Sequence, residues 1–315
     1  MHEASEMLSR PVAASLNCEN LTVTLHDGRV LGYAEYGVPG GLPVLGFHGT
    51  PGSRLMFRIA HEAAIEANIR LIAPERPGFG ISSRNPGHSL KSYAQDIAEF
   101  ADLLGLDRFA VAGVSGGGPY AAACAAYLKT RIKVLALVSP IGPVCGSEKP
   151  EKIGTGHFFA FRIMPRIPPL SALICGIGRA AFLYIPQLMY AFILSRVSST
   201  DWRVLSRPEI RRNLLSGVAE GCRPGVGATM QELAIFSRPW DLPYDEITAP
   251  SIFWQGLSDR NIPVRAAIRL GQLVPNCETH LIPGAGHYWI FDNMELVLCT
   301  IGAIAGRNCA KAAQT

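Results

Sequence analysis

No two of the eight cysteines stand at C-x-x-C spacing, which removes the usual zinc-ribbon and dithiol redox motifs. Cys18, Cys124, Cys145, Cys175, Cys222, Cys277, Cys299 and Cys309 are scattered along 315 residues, a length that buries a core without disulfides. The expectation is free thiols in a reducing, cytoplasmic setting. Despite 32 glycines and 23 prolines there is no Gly-X-Y period and no sustained heptad, so collagen-like and coiled-coil folds are excluded. Charged residues are only 17%, and 29 − 25 = +4 is a small, dispersed excess that argues against a nucleic-acid partner. The first residues lack a basic stretch running into an apolar one, so no secretory signal is read. Cys309 is not fourth from the end, so the prenylation pattern is missing.

Long apolar runs are also lacking. Phe109 to Leu128 is uncharged for 20 residues but contains Gly113, Gly116, Gly117, Gly118 and Pro119, a strand, turn and helix. Ala180 to Ser195 is uncharged for 16 and broken by Pro186. A spanning helix needs about 20 predominantly apolar residues, so no stable membrane span is expected.

What the chain does have is a hydrophobic content of 48% and a regular rhythm. Asn20–Leu25 and Val30–Tyr36 are rich in β formers and separated by Asp27-Gly28, a hairpin signal. Val44–Phe47 predicts a buried strand, Met56–Asn68 a helix and Ile69–Ala73 a strand. Ser89 caps a helix to Leu104, with apolar residues at helical spacing. Phe109–Gly113 is a strand, Gly116–Leu128 a helix and Val134–Val138 a strand. This alternation predicts an α/β fold, a mostly parallel sheet with helices on both faces. From Pro143 to Trp240 the rhythm stops and apolar helical stretches are punctuated by prolines. It resumes with strand Ser251–Gln255, helix Pro263–Leu273, strand Thr279–Ile282 and helix Ile290–Ala305. The division is therefore a core of 20–142 and 241–305, an inserted helical lid at 143–240, and terminal extensions at 1–19 and 306–315. A structural subdomain without a gating role is the alternative for the insertion.

Gly113-Val114-Ser115-Gly116-Gly117 follows an apolar strand and opens an Ala-rich helix. A serine on a sharp strand-to-helix turn needs small neighbours, and the helix N-terminus favours a developing anion. Such a hydroxyl needs a base. His287, last in the chain and on the glycine-rich loop Pro283-Gly284-Ala285-Gly286, is the candidate. The base needs an acid to fix its tautomer. Asp259, in the loop leaving strand Ser251–Gln255, is placed at the carboxyl edge of the sheet. Asp292 is the rival, five residues beyond the base.

The order Ser115, Asp259, His287 resembles that of the α/β-hydrolase fold enzymes, and the resemblance runs from about Asn20 to Ala305. His48-Gly49-Thr50-Pro51-Gly52 looks like the family's oxyanion loop, and Arg76-Pro77-Gly78-Phe79-Gly80 is similar to its turn after the fourth strand. Glu75 stands where family members usually carry Asp. The resemblance implies a serine hydrolase with Ser115 as nucleophile, and no cofactor or metal. A tetrahedral intermediate needs two fixed N–H donors. Gly116 N–H is one, and because Pro51 has none, Thr50 N–H is the second. The Thr50 hydroxyl is read either as a third donor or as a cap of the loop. Epoxide hydrolases and haloalkane dehalogenases of this fold carry Asp at the nucleophile position, which favours a carboxylic ester, lactone or thioester as substrate.

Other readings remain open: carbon–carbon bond hydrolysis or a non-hydrolytic reaction, a proline iminopeptidase-like activity, and a non-enzymatic ligand-binding protein. Aromatic and aliphatic residues cluster in the insertion, among them Phe158, Phe159, Phe161, Phe182, Tyr190 and Phe192, and it carries six acids against twelve Lys+Arg, so a mainly apolar small molecule, with room for a carboxylate, is the expected partner.

Overall fold

The computed structural model describes residues 16–306; the expectations about a leader, about Cys309 and about most of both terminal extensions concern residues outside that range. Among the described residues one sheet runs in the order β1-β2-β4-β3-β5-β6-β7-β8. The strands are β1 Leu16–Thr24, β2 Val30–Gly37, β3 Leu42–Phe47, β4 Ile69–Pro74, β5 Phe109–Val114, β6 Ile132–Val138, β7 Ser251–Gly256 and β8 Cys277–Ile282. β1 and β2 form the antiparallel hairpin around Asp27-Gly28, with Gly28 at φ +84°. β2 is antiparallel to β4, and every later pairing is parallel. β1 starts at Leu16, earlier than the expected Asn20. A register shift between Cys18 and Leu21 interrupts the alternation there, so a two-residue period does not reveal its first turns.

The strands sort their side chains between two apolar layers because successive residues face opposite ways. On β5, Phe109 and Val111 enter one layer and Ala110 and Ala112 the other. The first layer is closed by α2 (Leu90–Leu103), α3 (Gly118–Leu128) and α10 (Val264–Leu273), the second by α1 (His61–Glu66) and α11 (Met294–Ile304). Ser89 caps α2 as the sequence implies: its side chain accepts from Ser92 N at 3.0 Å, and Ser92 Oγ accepts from Ser89 N at 2.9 Å.

Two helices differ from the periodicity reading. The stretch predicted as Met56–Asn68 is a 3-10 segment, Arg54–Ala60, running into the short α1. Arg54, Phe57 and Ala60 are the buried positions, a spacing of three that suits the three-residue turn. The stretch predicted as Ile290–Ala305 opens on a 3-10 turn, His287–Asp292, and becomes α-helical only at Met294.

Between β6 and β7 the described chain has no strand. Its helices are α4 (Thr155–Phe158, continued by a wider turn to Ile163), α5 (Pro168–Tyr184), α6 (Pro186–Leu194), α7 (Ser199–Leu205), α8 (Pro208–Cys222) and α9 (Gly227–Phe236). Pro168, Pro186 and Pro208 each open a helix, where the missing N–H leaves no intrahelical bond unmade. Tyr190, Val204, Leu205, Ile210, Leu214 and Val218 form a small apolar cluster of the insertion's own. No single helix among the described residues is long and apolar enough to cross a membrane.

Candidate active site

β3 and β5 are neighbours, with Phe47 opposite Gly113. The chain leaves β3 toward one face of the sheet, where α1 packs, and leaves β5 toward the other, where α3 packs. Such a switch point opens a crevice at the carboxyl ends of the strands, and the loops 48–52 and 113–117 meet there.

Ser115 has φ +53°, left-handed backbone that a non-glycine residue adopts only when its surroundings enforce it. Close packing does so here. A Cβ on Gly113 would lie 2.6 Å from Gly117 O, and one on Gly117 would lie 2.1 Å from Phe47 O. A Cβ on Gly116 would lie 2.1 Å from Thr50 Oγ1, and one on Gly49 would lie 3.5 Å from Ser115 Cβ. The oxyanion-loop candidates Thr50 and Gly116 are thus side by side and next to Ser115. The Thr50 amide donates to no protein acceptor among the described residues.

His287 stands at the start of the turn after β8, and its Nδ1 is 2.7 Å from Asp259 Oδ2. Asp259 in turn accepts from Asn261 N at 2.8 Å, Ile262 N at 3.2 Å and Gln255 Nε2 at 3.2 Å. Both side chains are nearly fully buried. Burial works against the Asp259 anion, but His287 and the two backbone donors outweigh it and hold the carboxyl below the usual range. Burial likewise disfavours an imidazolium at His287. The Asp259 charge and hydrogen bond, with Asp201 beside them, overcome this and raise the imidazole above its ordinary value. Asp292 is placed elsewhere, ion-paired with Arg207 at half-exposed positions.

Ser115 and His287 line one cavity of about 700 Å³. Gly49, Thr50 and Pro51 form its floor, and Phe161, Phe182, Phe192, Ile193, Leu214 and Val218 of the insertion form much of its wall. Arg196 and Arg260 stand at it, and no Asp or Glu does.

Two charged residues beside the site have no counterpart in the sequence reading. Asp201 of α7 is buried, and its carboxylate accepts from His287 N at 2.9 Å and Tyr288 N at 2.8 Å. A Cβ on Gly286 would sit 2.0 Å from that carboxylate, so the glycine before His287 admits Asp201. Glu232 of α9 is fully buried and ion-paired with Arg76, itself fully buried. Arg76 also donates to His48 O, to Gly49 O at 3.1 Å and to Thr50 Oγ1 at 3.1 Å, and it lies over the Tyr120 and Phe79 rings. The Thr50 hydroxyl donates to Glu232. It is therefore tied into this network and braces the loop.

The only sequence signal for Asp201 and Glu232 was that they are acids in a stretch short of acids. His48 braces the same loop: its Nδ1–H donates to Gly49 O at 2.8 Å and Nε2 accepts from Arg76 N at 3.3 Å. Burial and the nearby Arg76 push that imidazole well below its ordinary pKa. Glu75, the departure noted in the sequence, is fully buried and bound by Arg54 at 2.6 Å and by Ile81 N at 2.7 Å. Arg54 also holds Glu220 of α8 at 2.8 Å, so Glu75 acts on the insertion rather than on the reacting atoms.

Comparison with known proteins agrees with this architecture. A hydrolase named YcgS from Bacillus subtilis, described as uncharacterized, is 32% identical over 183 residues, 58% of this chain and 61% of that protein. Haloalkane dehalogenase 2 of Mycobacterium tuberculosis is 35% identical over 264 residues, 83% of this chain and 87% of that protein. Among solved structures, a thermophilic esterase from Thermogutta terrifontis shares the fold with a TM-score of 0.60 at 23% identity, over 91% of this chain and 97% of that one. The model of the alpha/beta hydrolase family matches residues 44–298, and the chain belongs to that family.

Proposed function

We propose that this protein is a serine hydrolase that cleaves a carboxylic ester, lactone or thioester of a mainly apolar small molecule through an acyl-enzyme. The observation that carries the reading is Ser115 at φ +53° on the same cavity as a His287 that is hydrogen-bonded to Asp259. In this reading Ser115 Oγ attacks the carbonyl carbon as its proton passes to His287. The Thr50 and Gly116 N–H groups hold the oxyanion, and Asp259 stabilises the imidazolium. His287 then gives the proton to the departing alkoxide or thiolate. A water, deprotonated by His287, attacks the acyl carbon and restores Ser115.

The relatedness to a haloalkane dehalogenase does not carry over in chemistry. Displacement of a halide by a serine oxygen would leave an alkyl ether, with no carbonyl carbon for the histidine-activated water to attack. A carboxylate nucleophile leaves a hydrolysable ester, and position 115 is serine. An aminopeptidase substrate brings an ammonium group, and the cavity presents two arginines and no carboxylate. The apolar wall supports an apolar acyl chain, and Arg196 and Arg260 support a distal carboxylate on it. We take the insertion, which supplies much of that wall, to be the lid over the site.

The test is covalent labelling followed by turnover. A fluorophosphonate should add its mass to Ser115, and Ser115→Ala should fold normally while losing roughly 10⁴–10⁶ in ester turnover. Asp259→Asn should lose about 10⁴. Near-native turnover in Ser115→Ala would sink the acyl-enzyme reading.

A further inference from the structure

Residues 152–200 contain no Asp or Glu and five cations: Lys152, Arg162, Arg166, Arg179 and Arg196. The rest of the chain therefore carries 24 basic against 25 acidic residues, so the whole net positive charge lies in this one stretch. None of the five is ion-paired with a carboxylate among the described residues. Arg162 and Arg196 lie over Phe158 and Phe192, and Arg179 donates to carbonyls at the end of α8.

The same stretch holds eleven of the sixteen large hydrophobic side chains exposed among the described residues. On α5, Leu173, Ile177 and Tyr184 are exposed at 60%, 62% and 79% and recur at i, i+4 and i+11, a single helix face. On α6, Leu188 and Phe192 recur at i and i+4, both more than half exposed. The segments Thr155–Arg166 and Pro168–Tyr184 are apolar enough together to resemble a membrane span, but they meet at 119°. A chain bent that sharply cannot run straight across a bilayer.

We infer that residues 152–200 form a docking surface for a lipid bilayer that carries anionic headgroups. The apolar side chains would enter the headgroup and acyl boundary while Lys152, Arg162, Arg166 and Arg179, the cations that do not line the cavity, meet the lipid phosphates. Charge separates this occupant from a second copy of the chain. A two-fold interface places the patch against itself, and here that would bring cations onto cations with no acid among them. The orientation also suits the cavity. Phe161, Phe182 and Ile193 line it, while Leu173, Ile177, Tyr184 and Leu188 of the same stretch face solvent, so docking would set an ester partitioned into the bilayer close to Ser115. The docking itself does not depend on the reaction, and Ser115→Ala should bind vesicles as the natural chain does.

The experiment is cosedimentation of the full-length chain with phosphatidylcholine vesicles, with and without a phosphatidylglycerol fraction, at low and at molar salt. The protein should sediment with the anionic vesicles at low salt, and both molar salt and removal of the phosphatidylglycerol should weaken binding. Ile177→Asp should lower the partition coefficient by roughly tenfold and Arg166→Ser by roughly fivefold, with thermal unfolding unchanged in both. The inference is overturned if the natural chain ignores anionic vesicles, or if both variants partition as it does. It is equally overturned if light scattering finds a dimer that Ile177→Asp dissociates and that binds no vesicle.

Discussion

The two halves of the insertion are both helical and both rich in arginine, yet they behave oppositely. The second half, α7 to α9, reaches into the core through carboxylates: Asp201 onto the backbone at His287 and Tyr288, Glu220 onto Arg54, and Glu232 onto Arg76 and Thr50. The first half, α4 to α6, has no acid to offer and leaves Leu173, Ile177, Tyr184 and Leu188 in solvent. The difference teaches what anchors such a segment. Buried arginines of the core select the acids of the insertion, because an unpaired charge in an apolar interior is costly. The arginines of the first half, Arg162, Arg166 and Arg179, meet no carboxylate among the described residues.

The comparison can be broken from either side, and the largest effect is expected at Glu232. Glu232→Gln leaves the Arg76 guanidinium buried without its counter-charge, and should destabilise the fold by about 3 kcal/mol or more, read from denaturant unfolding. Ester turnover should fall with it, since Arg76 and Thr50 share the same loop. A stability loss below the uncertainty of the measurement would mean that this half is not anchored by charge.

Asp201→Asn removes one acceptor and the negative charge while keeping the shape, and should cost about 1–3 kcal/mol. It carries a pH signature as well. The Asp201 carboxylate helps to raise the His287 imidazole, and only the neutral imidazole serves as base. The acid limb of kcat/KM should therefore move to lower pH in the variant. An unmoved limb would make Asp201 a purely structural clamp.

The cavity wall gives a smaller increment. Each methylene of an acyl chain buried against Phe161, Phe182 and Ile193 should raise kcat/KM about fourfold, the equivalent of about 0.8 kcal/mol, until the chain outgrows the cavity. A flat series would remove the apolar wall from substrate binding. Smallest of all, Leu188→Ser should change stability by no more than about 0.5 kcal/mol, as at other exposed sites, because in the free protein that side chain is 65% exposed. A larger loss would show that the first half is packed after all.

The order of strands and helices in the core was legible because each depends on neighbours in sequence. The Ser89 cap, the Asp27-Gly28 hairpin and the period-two strands are local statements, and they reappear with boundaries shifted by a few residues. The shifts have local causes too, such as the bulge in β1 and the three-residue spacing of Arg54, Phe57 and Ala60. The glycines around Ser115 were readable as a tight turn, although the partners that forbid a side chain there, Phe47 O and Thr50 Oγ1, come from another strand's loop.

The candidate residues of the proposed chemistry, a serine between glycines, a late histidine and an acid after the seventh strand, were legible in the sequence alone, because chain order and turn composition are one-dimensional facts. Only the tertiary structure brings Asp259, 28 residues away, against His287, while Asp292, five residues on, turns to Arg207. Only it placed Asp201, Glu220 and Glu232 against the core, because a carboxylate 86, 166 or 156 residues from its partner leaves no periodic trace. The excess of cations over residues 152–200 was countable in the sequence, but only the structure showed which apolar side chains of that stretch stay exposed.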